Sequence, residues 1–383
     1  MEEKLKDQNN LIKSIVVILV MAVLIILGAR EFAEMHEVDP VVKGPGVTDM
    51  GRLSDYLDEL EGSPGDTDLY YMDSGEPGGT VLIIGGLHPN EPAGLLAAVL
   101  WIENVVMESG RAIVAPHANA SGYTATEPLQ GSPQTFGIET DWGERRFRYG
   151  SRFTNPLHQY PDPEVFVHPT GQLLSGMEVR NLNRTFPGRP DGLLTEQLAY
   201  AFMEIIWEED VDVVIDIHEA RPINPIVNCI LAHPNAMEVA SMAVMELGAI
   251  DVPIRLEPSP ERLRGITHRE IGDHSDAQPF ILEAPNPAMD ALRGPTDEEL
   301  VVRGKDDFFR RAYEHGLTRA RYEECFGYPI HWRTGRHTTT CQVILDTFSE
   351  FNPDRPIEFS NIPLLDEIKE KGLGHFMLNP DED

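Results

Sequence analysis

The sequence predicts an α/β protein with a mixed, mostly parallel central sheet and helices on both faces, preceded by one N-terminal transmembrane helix. Short apolar runs that end in a turn or a polar residue alternate with longer segments of helical pattern, which is typical of a sheet covered on both sides. One continuously apolar segment, residues 15–27, lies close to the N-terminus. The 383 residues are 41% hydrophobic and 25% charged, a globular composition with room for one large domain and additions.

The N-terminal segment IVVILVMAVLIIL (15–27) is at the short end for a bilayer span, and the two apolar residues before Lys13 extend it if that lysine reaches the interface. Three lysines precede the segment and only Arg30 follows it closely. The positive-inside rule therefore predicts a single-pass anchor in the cell membrane, residues 1–30, with a cytoplasmic tail and the rest of the chain outside, in the periplasm or the extracellular space. A secreted protein that has lost a cleaved signal peptide is the alternative, although no clear small-residue cleavage pattern follows the segment.

The net charge is −32, from 31 Lys and Arg against 63 Asp and Glu. Such a surface repels phosphate backbones, so no nucleic-acid partner is expected. An anionic substrate would need local arginines to overcome the negative electrostatic potential of the surface. The three cysteines, Cys229, Cys325 and Cys341, form no C-x-x-C metal or redox motif. We favour three unpaired thiols over a disulfide between Cys325 and Cys341.

Residues 31–65 are charged and interrupted by Gly and Pro, which predicts a spacer with one short helix at 49–60. The folded domain is expected at 66–320, followed by a C-terminal extension at 321–383. Residues 123–177 form a long irregular insertion that either covers a site or wraps the structure. Strands are predicted at 67–71, 80–84, 112–115, 211–217 and 341–345, and helices at 95–107, 195–208, 236–247 and 299–322.

The motif VLIIGGLHPNEPAG (81–94) places His88 and Glu91 after an apolar strand and a Gly-Gly turn. Pro89 and Pro92 are expected to keep this segment out of a regular helix, so both polar residues lie on a loop at the carboxyl end of a strand, where open α/β sheets place their ligands. An imidazole and a carboxylate at this spacing share one divalent metal if the loop turns back on itself. A loop histidine beside a solvated glutamate is the alternative.

The segment VDVVIDIHEA (211–220) predicts another strand, with His218 near its carboxyl end. Delivered from a neighbouring parallel strand, His218 completes a set of two histidines and one carboxylate, the ligand set of a catalytic zinc site with one position left open. His218 does not begin an H-E-x-x-H helix motif, because Pro222 follows at once. A structural histidine at a strand end is the alternative.

Two further segments carry polar residues suited to a substrate. In RNLNRTFPG (180–188), Asn183 and Arg184 place an amide beside a planar guanidinium that binds carboxylates through two hydrogen bonds. In FILEAPNP (280–287), Glu283 delivers a carboxyl group from the end of a third apolar run. Taken singly, the Asn-Arg pair is also consistent with a surface turn, and Glu283 with a loop carboxylate. The occurrence of all the motifs in this order is explained far less readily in that way.

GGLHPNEPAG, VAPHANASG (114–122), RNLNRTFPG, DIHEA and LEAPNP together resemble the metallocarboxypeptidase superfamily, and its succinylglutamate desuccinylase/aspartoacylase branch in particular. The resemblance covers about residues 80–290 and implies a zinc carboxypeptidase-like fold that holds one Zn²⁺ per chain. Site residues implied by position are His88, Glu91 and His218 as zinc ligands, Glu283 as the catalytic glutamate that handles the water proton, and Asn183 and Arg184 as the pair that holds the substrate carboxylate.

The chain departs from the family's pattern at several positions. Pro89 stands where a glycine usually follows the first histidine, which stiffens the loop. Asn181 replaces the usual aspartate, which removes a charge near the site. No residue clearly matches the arginine that polarises the scissile carbonyl. Arg180 is the nearest candidate and is assigned to substrate binding, and the others are Arg145, Arg146, Arg148 and Arg152.

The resemblance implies a zinc-dependent hydrolase that cleaves an amide bond next to a substrate carboxylate, as a carboxypeptidase or as a deacylase of N-acyl amino acids. The expected substrate is a small molecule or peptide with a free carboxylate, and an exported location favours peptides or cell-wall fragments. A non-catalytic carboxylate-binding protein on the same fold and a metal-dependent esterase are the two alternatives. The intact metal and catalytic residues argue against the non-catalytic protein.

Overall fold

The computed structural model describes residues 2–126, 132–224, 226–317 and 327–382. The chain divides into two compact units, Met1–Asp39 and Pro40–Asp383. The first contains helix α1 (Glu2–Glu34), in which the segment Gln8–Glu34 is long and apolar enough to cross a membrane. A signal sequence near the N-terminus meets the same criterion, so length and composition alone support the predicted span.

The second unit alternates helices and strands along most of its length. Its helices are α2 (Pro92–Asn104), α3 (Ala120–Tyr123), α4 (Leu194–Glu208), α5 (Met237–Ala249), α6 (Thr267–His274), α7 (Glu298–Arg303), α8 (Asp307–Glu314), α9 (Ile330–Phe351) and α10 (Leu365–Lys371). Its strands are β1 (Asp49–Arg52), β2 (Asp68–Asp73), β3 (Thr80–Ile84), β4 (Val106–Ser109), β5 (Arg111–Ala115), β6 (Thr135–Thr140), β7 (Gly143–Arg148), β8 (Val165–Val167), β9 (Leu173–Ser175), β10 (Val213–Ala220), β11 (Cys229–Ala232), β12 (Arg255–Pro258), β13 (Gln278–Pro285) and β14 (Glu358–Ser360).

The central sheet has eight strands in the order β1-β2-β5-β3-β10-β13-β11-β12. The four middle strands, β5, β3, β10 and β13, run parallel to one another. The pairs β1–β2, β2–β5 and β11–β13 are antiparallel, and β11–β12 is parallel. The predicted mixed, mostly parallel sheet is therefore confirmed. Because parallel strands end at one edge, β3, β10 and β13 bring their carboxyl ends together.

Helices cover both faces of this sheet, as predicted, and β3 shows how the two faces divide. Val81 and Ile83 belong to the hydrophobic core under α2, α5 and α9, whereas Leu82 and Ile84 belong to the core under α4 and α6. Successive side chains of a strand point to opposite faces. A strand buried on both faces therefore appears in the sequence as a continuous apolar run.

Two predicted elements are of the wrong type. The strand predicted at 341–345 is wrong, because these residues lie inside α9. Cys341, Ile344 and Phe348 are buried in the core at helical spacing, so the apolar run is one face of a helix. The helix predicted at 49–60 is also wrong: the segment forms the edge strand β1, paired with β2, and two 3-10 turns.

The insertion at 123–177 is more regular than predicted, since it contains the hairpins β6–β7 and β8–β9. Arg145 of β7 is buried and forms an ion pair of 2.7 Å with Glu103 of α2, which fastens this hairpin to the domain.

The helix predicted at 299–322 is divided into α7 and α8 at Gly304, whose φ is +60°, and residues 318–322 lie outside the described residues. Cys229 and Cys341 are buried free thiols; Cys325 lies outside the described residues.

Candidate metal centre and substrate cavity

The loop after β3 carries the first two predicted ligands. His88 lies in the turn that follows β3, and Glu91 is the residue immediately before α2. Pro92 is the first residue of α2, where a missing N–H costs nothing and the fixed φ suits a helix. Pro92 therefore begins a helix, contrary to the prediction, while His88 and Glu91 occupy the expected loop.

The two central strands carry the other predicted residues. His218 of β10 lies directly opposite Glu283 of β13 in the register of these parallel strands. Both strands continue for two residues beyond this pair, so the two side chains project from near the carboxyl ends. Asp216 precedes His218 by two residues and therefore points to the same face of β10.

His88, Glu91 and His218 meet in one buried cluster. His88 Nδ1 lies 2.9 Å from Glu91 Oε1 and 3.1 Å from His218 Nδ1, which in turn lies 2.8 Å from Glu91 Oε2. Each residue is at most 2% exposed, and one potential ligand atom from each lies within 4.8 Å of the others. Glu91 also accepts hydrogen bonds from the backbone N–H of Glu219, at 3.0 Å, and from Arg152, at 2.9 Å.

The polar contacts behind His88 determine which of its ring nitrogens carries the proton. Asn181 Oδ1 accepts from the backbone N–H of Asn183 at 3.1 Å, and Asn181 Nδ2 donates to Glu178 at 2.7 Å, so the orientation of this amide is fixed. His88 Nε2 lies 2.9 Å from Asn181 Oδ1 and must donate to it. The lone pair of His88 is therefore on Nδ1, toward the cluster.

The contacts of His218 likewise place a proton on its Nε2. Its Nε2 lies 2.8 Å from Asp216 Oδ2, a carboxylate oxygen that also accepts from the Thr267 hydroxyl at 2.6 Å. His218 Nε2 therefore donates, and its Nδ1 faces Glu91 and the other imidazole. When His218 is neutral, as a metal ligand must be, two imidazole lone pairs and a carboxylate converge with no ring proton between them, which is the donor set and geometry that fits a metal cation.

The charges around the cluster favour a cation at the same place. Burial and Arg152 lower the pKa of His88 to about 3. Burial alone would lower the pKa of His218, but Asp216 and Glu91 raise it well above its ordinary value, so without a cation His218 holds a second proton on Nδ1, beside Glu91. Burial likewise opposes a charge on Glu91, yet the two imidazoles hold its pKa well below the usual range. Positive charge between Glu91 and the imidazoles is therefore stabilised.

Glu283 lies beside the cluster without being tied to it. Its Oε2 is buried and has no hydrogen-bond partner among the described residues. Burial raises the pKa of Glu283 to about 8, against the opposing effect of His218. A carboxyl group with a free oxygen and a pKa near neutrality is suited to accept and release a proton.

Asn183 and Arg184 lie in a 3-10 turn at the mouth of the site. Asn183 Oδ1 accepts from the backbone N–H of Thr267 at 2.9 Å. Arg184 donates to the backbone oxygen of Asn183, and its Nε lies 4.0 Å from Glu178. Burial and Arg152 lower the pKa of Arg184, which an incoming carboxylate would offset. Both residues line the cavity, and their part in substrate binding stays a prediction.

Of the arginines considered for the carbonyl-polarising role, Arg152 reaches the cavity and Arg180 does not. Arg180 donates to both carboxylate oxygens of Asp162, at 2.7 and 3.0 Å, and to the backbone oxygen of Thr154. This pairing commits the guanidinium to Asp162, and the expected part of Arg180 in substrate binding stays a prediction. The other three contact the insertion, the domain or the C-terminal segment: Arg145 pairs with Glu103, Arg146 with Glu144, and Arg148 donates to the Tyr123 carbonyl.

The cavity has a volume of about 690 Å³ and is lined by both polar and apolar side chains. Its polar lining includes His88, Glu91, Arg152, Arg184, His218 and Glu283. Sequence reasoning missed Asp216, which contacts His218, and His268, which lines the cavity. A carboxylate two residues before a histidine, within an otherwise apolar strand, was a usable signal for Asp216, whereas His268 of α6 has no local signal.

Fold and site together define an α/β protein with a two-histidine, one-glutamate centre at the carboxyl ends of its central parallel strands. Residues 77–283, more than half of the chain, match the family model of the succinylglutamate desuccinylase/aspartoacylase catalytic domain. The chain belongs to this family. The match contains all three candidate ligands and ends at Glu283.

Several solved structures are similar to the chain. A succinylglutamate desuccinylase from Silicibacter sp. TM1040 is 19% identical, with a TM-score of 0.35 over 57% of this chain and 53% of that chain. The product-bound ectoine utilization protein EutE (DoeB) from Ruegeria pomeroyi is 21% identical, with a TM-score of 0.37 and the same coverages of 57% and 53%. The tripeptide-bound cell shape determinant Csd4 from Helicobacter pylori is 11% identical, with a TM-score of 0.45 over 76% and 56%. The chain spans about half the length of these proteins. No curated protein sequence matches it.

Proposed function

We propose that this chain is a zinc-dependent hydrolase that cleaves an amide bond next to a free carboxylate of its substrate. One observation carries the proposal: Nδ1 of His88 and Nδ1 of His218 converge on the Glu91 carboxylate, and the second nitrogen of each ring is committed as a donor. Glu283 supplies a carboxyl group with an unpartnered oxygen to the same cavity. Family membership supports an amide-bond hydrolase.

The ligands would be His88 Nδ1, His218 Nδ1 and the Glu91 carboxylate. When bound, Zn²⁺ supplies Lewis-acid chemistry: it polarises a carbonyl group and lowers the pKa of water toward about 7. Asn181 and Asp216 hold the two imidazoles in the tautomer that leaves Nδ1 free, and such partners orient metal-binding histidines in general.

Glu283 would accept the proton of the attacking water on its free Oε2 and deliver it to the leaving nitrogen. Glu219, the neighbouring carboxylate, is unsuited to this part. Its oxygens accept from Arg333, from the Ala93 backbone N–H at 3.1 Å and from Asn286 at 3.1 Å, so they are already occupied. Glu283 is therefore the proposed general base.

Arg184 would bind the free carboxylate of the substrate, and Asn183 would support it from the same turn. Binding at this point positions the scissile bond between Glu283 and the metal ligands. Arg152 has its guanidinium 2.9 Å from Glu91 and lines the cavity, so we assign it, in place of Arg180, to the polarisation of the scissile carbonyl.

The helix Gln8–Glu34 supports a further part of the proposal, namely a membrane-anchored enzyme whose catalytic domain faces outward. The lysines before the span and the scarcity of positive charge after it favour this orientation. The substrate would then be a peptide or another N-acylated amino acid present outside the cytoplasm.

The decisive experiment combines metal analysis with hydrolysis by the full-length chain in detergent. We expect one zinc ion per chain, and loss of both metal and activity toward N-acyl amino acids or peptides in His88→Ala and His218→Ala. His375→Ala is the matched control, because His375 pairs with Asp141 at an exposed position and is expected to keep both. Stoichiometric metal in the His88→Ala/His218→Ala double variant would refute the proposed site.

A further inference from the structure

Next to Glu283, the wall of the cavity is mostly apolar. Leu231 of β11 lies directly opposite Ile281 of β13, and Ile281 precedes Glu283 by two residues, so all three point to the same face of the sheet. We call this the side pocket, and it is lined by Leu231, Leu263, Ile266, His268 and Ile281. Its four aliphatic residues, together with Cys229, form a hydrophobic cluster separate from the three larger cores.

His268 is the single polar member of the side pocket. It is 1% exposed, and neither of its ring nitrogens has a hydrogen-bond partner among the described residues. By contrast, the two ring nitrogens of His233, near the other end of α6, contact Asn235 and Asp273. Buried donors and acceptors without partners are uncommon because they are costly, and one that lines a cavity is explained when a ligand supplies the partner.

The imidazole of His268 is neutral, because burial and Arg269 lower its pKa to about 3. A neutral ring offers one N–H donor and one acceptor lone pair. None of the five residues of the side pocket carries a charge, and the guanidinium of Arg269, which acts on His268, is committed to Asp273 and the Ser259 carbonyl. A carboxylate or an ammonium placed there would therefore lose its hydration without gaining a free counter-charge. A side chain with an aliphatic stem and an uncharged donor and acceptor at its end, such as a primary amide, would pack against the aliphatic residues and form hydrogen bonds with the His268 imidazole.

We propose that His268 selects substrates in which the residue that carries the free carboxylate has an apolar stem and an uncharged hydrogen-bonding end, with glutamine as the fitting example. The inference rests on the proposed function, in which Arg184 holds that carboxylate and Glu283 acts at the adjacent amide bond. The side pocket lies next to Glu283, so it is placed to receive the side chain of this residue.

The test compares three substrates of similar length, N-acetyl-L-glutamine, N-acetyl-L-methionine and N-acetyl-L-glutamate, with the zinc-loaded full-length chain in detergent. We expect kcat/KM to be highest for the glutamine compound, about 10-fold or more above methionine, and lowest for glutamate. His268→Leu should reverse the order of glutamine and methionine, whereas His268→Gln, which keeps one donor and one acceptor, should retain the preference for glutamine. An unchanged order in His268→Leu, or a wild-type preference for glutamate, overturns the proposal.

A binding measurement separates this inference from the proposed reaction. Titration calorimetry with the free amino acids L-glutamine, L-methionine and L-glutamate needs no turnover. One outcome is that no N-acetyl compound is hydrolysed, but L-glutamine binds about 10-fold more tightly than L-methionine in the wild type and not in His268→Leu. This outcome would refute the proposed reaction and support the proposed selectivity of the side pocket. Hydrolysis without such a preference, or no binding of any of the three, refutes the side pocket. Zinc content and thermal unfolding confirm that each variant is folded.

Discussion

The guanidinium of Arg333 and the carboxylate of Glu219 form an ion pair in which both side chains are completely buried. Glu219 follows His218 directly, and its backbone N–H donates to Glu91. Arg333 belongs to α9, beyond the residues that match the family model. A helix outside the family match therefore holds the end of β10 that carries a candidate metal ligand.

Arg333→Met should destabilise the protein strongly, because it leaves the Glu219 carboxylate buried without its counter-charge. Removal of one partner from a buried ion pair typically lowers the free energy of unfolding by about 3–5 kcal/mol. Arg303→Met is the matched control: Arg303 pairs with Glu299 at 3.1 Å, but these side chains are 69% and 70% exposed. Its expected loss is at most about 0.5 kcal/mol. Equal losses for the two variants in urea unfolding of the full chain would contradict this view of Arg333.

The strands that carry the site could be predicted because their signals are local. A strand buried on both faces appears as an apolar run: in β3 the run ends just before the Gly-Gly turn and His88, and in β10 only Asp216 interrupts it before His218. The same local signal failed at 341–345, where a short window of apolar residues did not show the helical period that continues to Phe348.

Residues whose partners lie far away in sequence could not be placed from the sequence. Arg180 is adjacent to the site motif, but Asp162 captures its guanidinium. Arg145 lies in an arginine-rich stretch of the insertion, yet it is buried against Glu103. The polarity of such a side chain says nothing about its burial until the partner is known, and neither the side-pocket position of His268 nor the pairing of Arg333 has a local signature.

Asn181 departs from the aspartate usual in the family, and the structure gives a reason for the amide. Its Nδ2 donates to Glu178 while its Oδ1 accepts from His88. Asn181→Asp would place two carboxylates side by side, so we expect the free energy of unfolding to fall by about 1–3 kcal/mol. The Asn181→Asp/Glu178→Gln double variant should recover most of the loss, because the glutamine amide can donate to the new carboxylate. Losses that simply add in this double-mutant cycle would show that the two positions are independent.

Glu283→Gln should keep the metal and lose most of the turnover. The amide cannot accept a proton, whereas His88, Glu91 and His218 are untouched. Loss of a general base lowers kcat by about 10²–10⁴-fold. Glu257→Gln, on strand β12 of the same sheet, is the control and should change kcat little. Zinc analysis and steady-state kinetics test the prediction, and a near-normal kcat in Glu283→Gln would exclude Glu283 as the base.

Arg184→Ala should weaken substrates with a free carboxylate far more than their amidated analogues. A charge-assisted pair with the carboxylate accounts for about 10–100-fold in kcat/KM, and the amide cannot form it. Arg180→Ala is the matched control, since the guanidinium of Arg180 is committed to Asp162. It is expected to affect both kinds of substrate alike. If Arg180→Ala produces the selective loss instead, the assignment of the two arginines is reversed.

The N-terminal helix should remain attached and keep the catalytic domain outside the membrane. The segment Gln8–Glu34 is continuous with a lysine-rich start and lacks a clear cleavage pattern after its apolar run. Membrane fractionation, mass determination of the amino terminus and protease treatment of intact cells test each part. We expect an intact N-terminus in the membrane fraction and a domain that external protease digests. A soluble exported protein that begins near Arg30 would identify a signal peptide. Resistance to protease until lysis would place the domain in the cytoplasm, and the substrates would then be metabolites rather than external peptides.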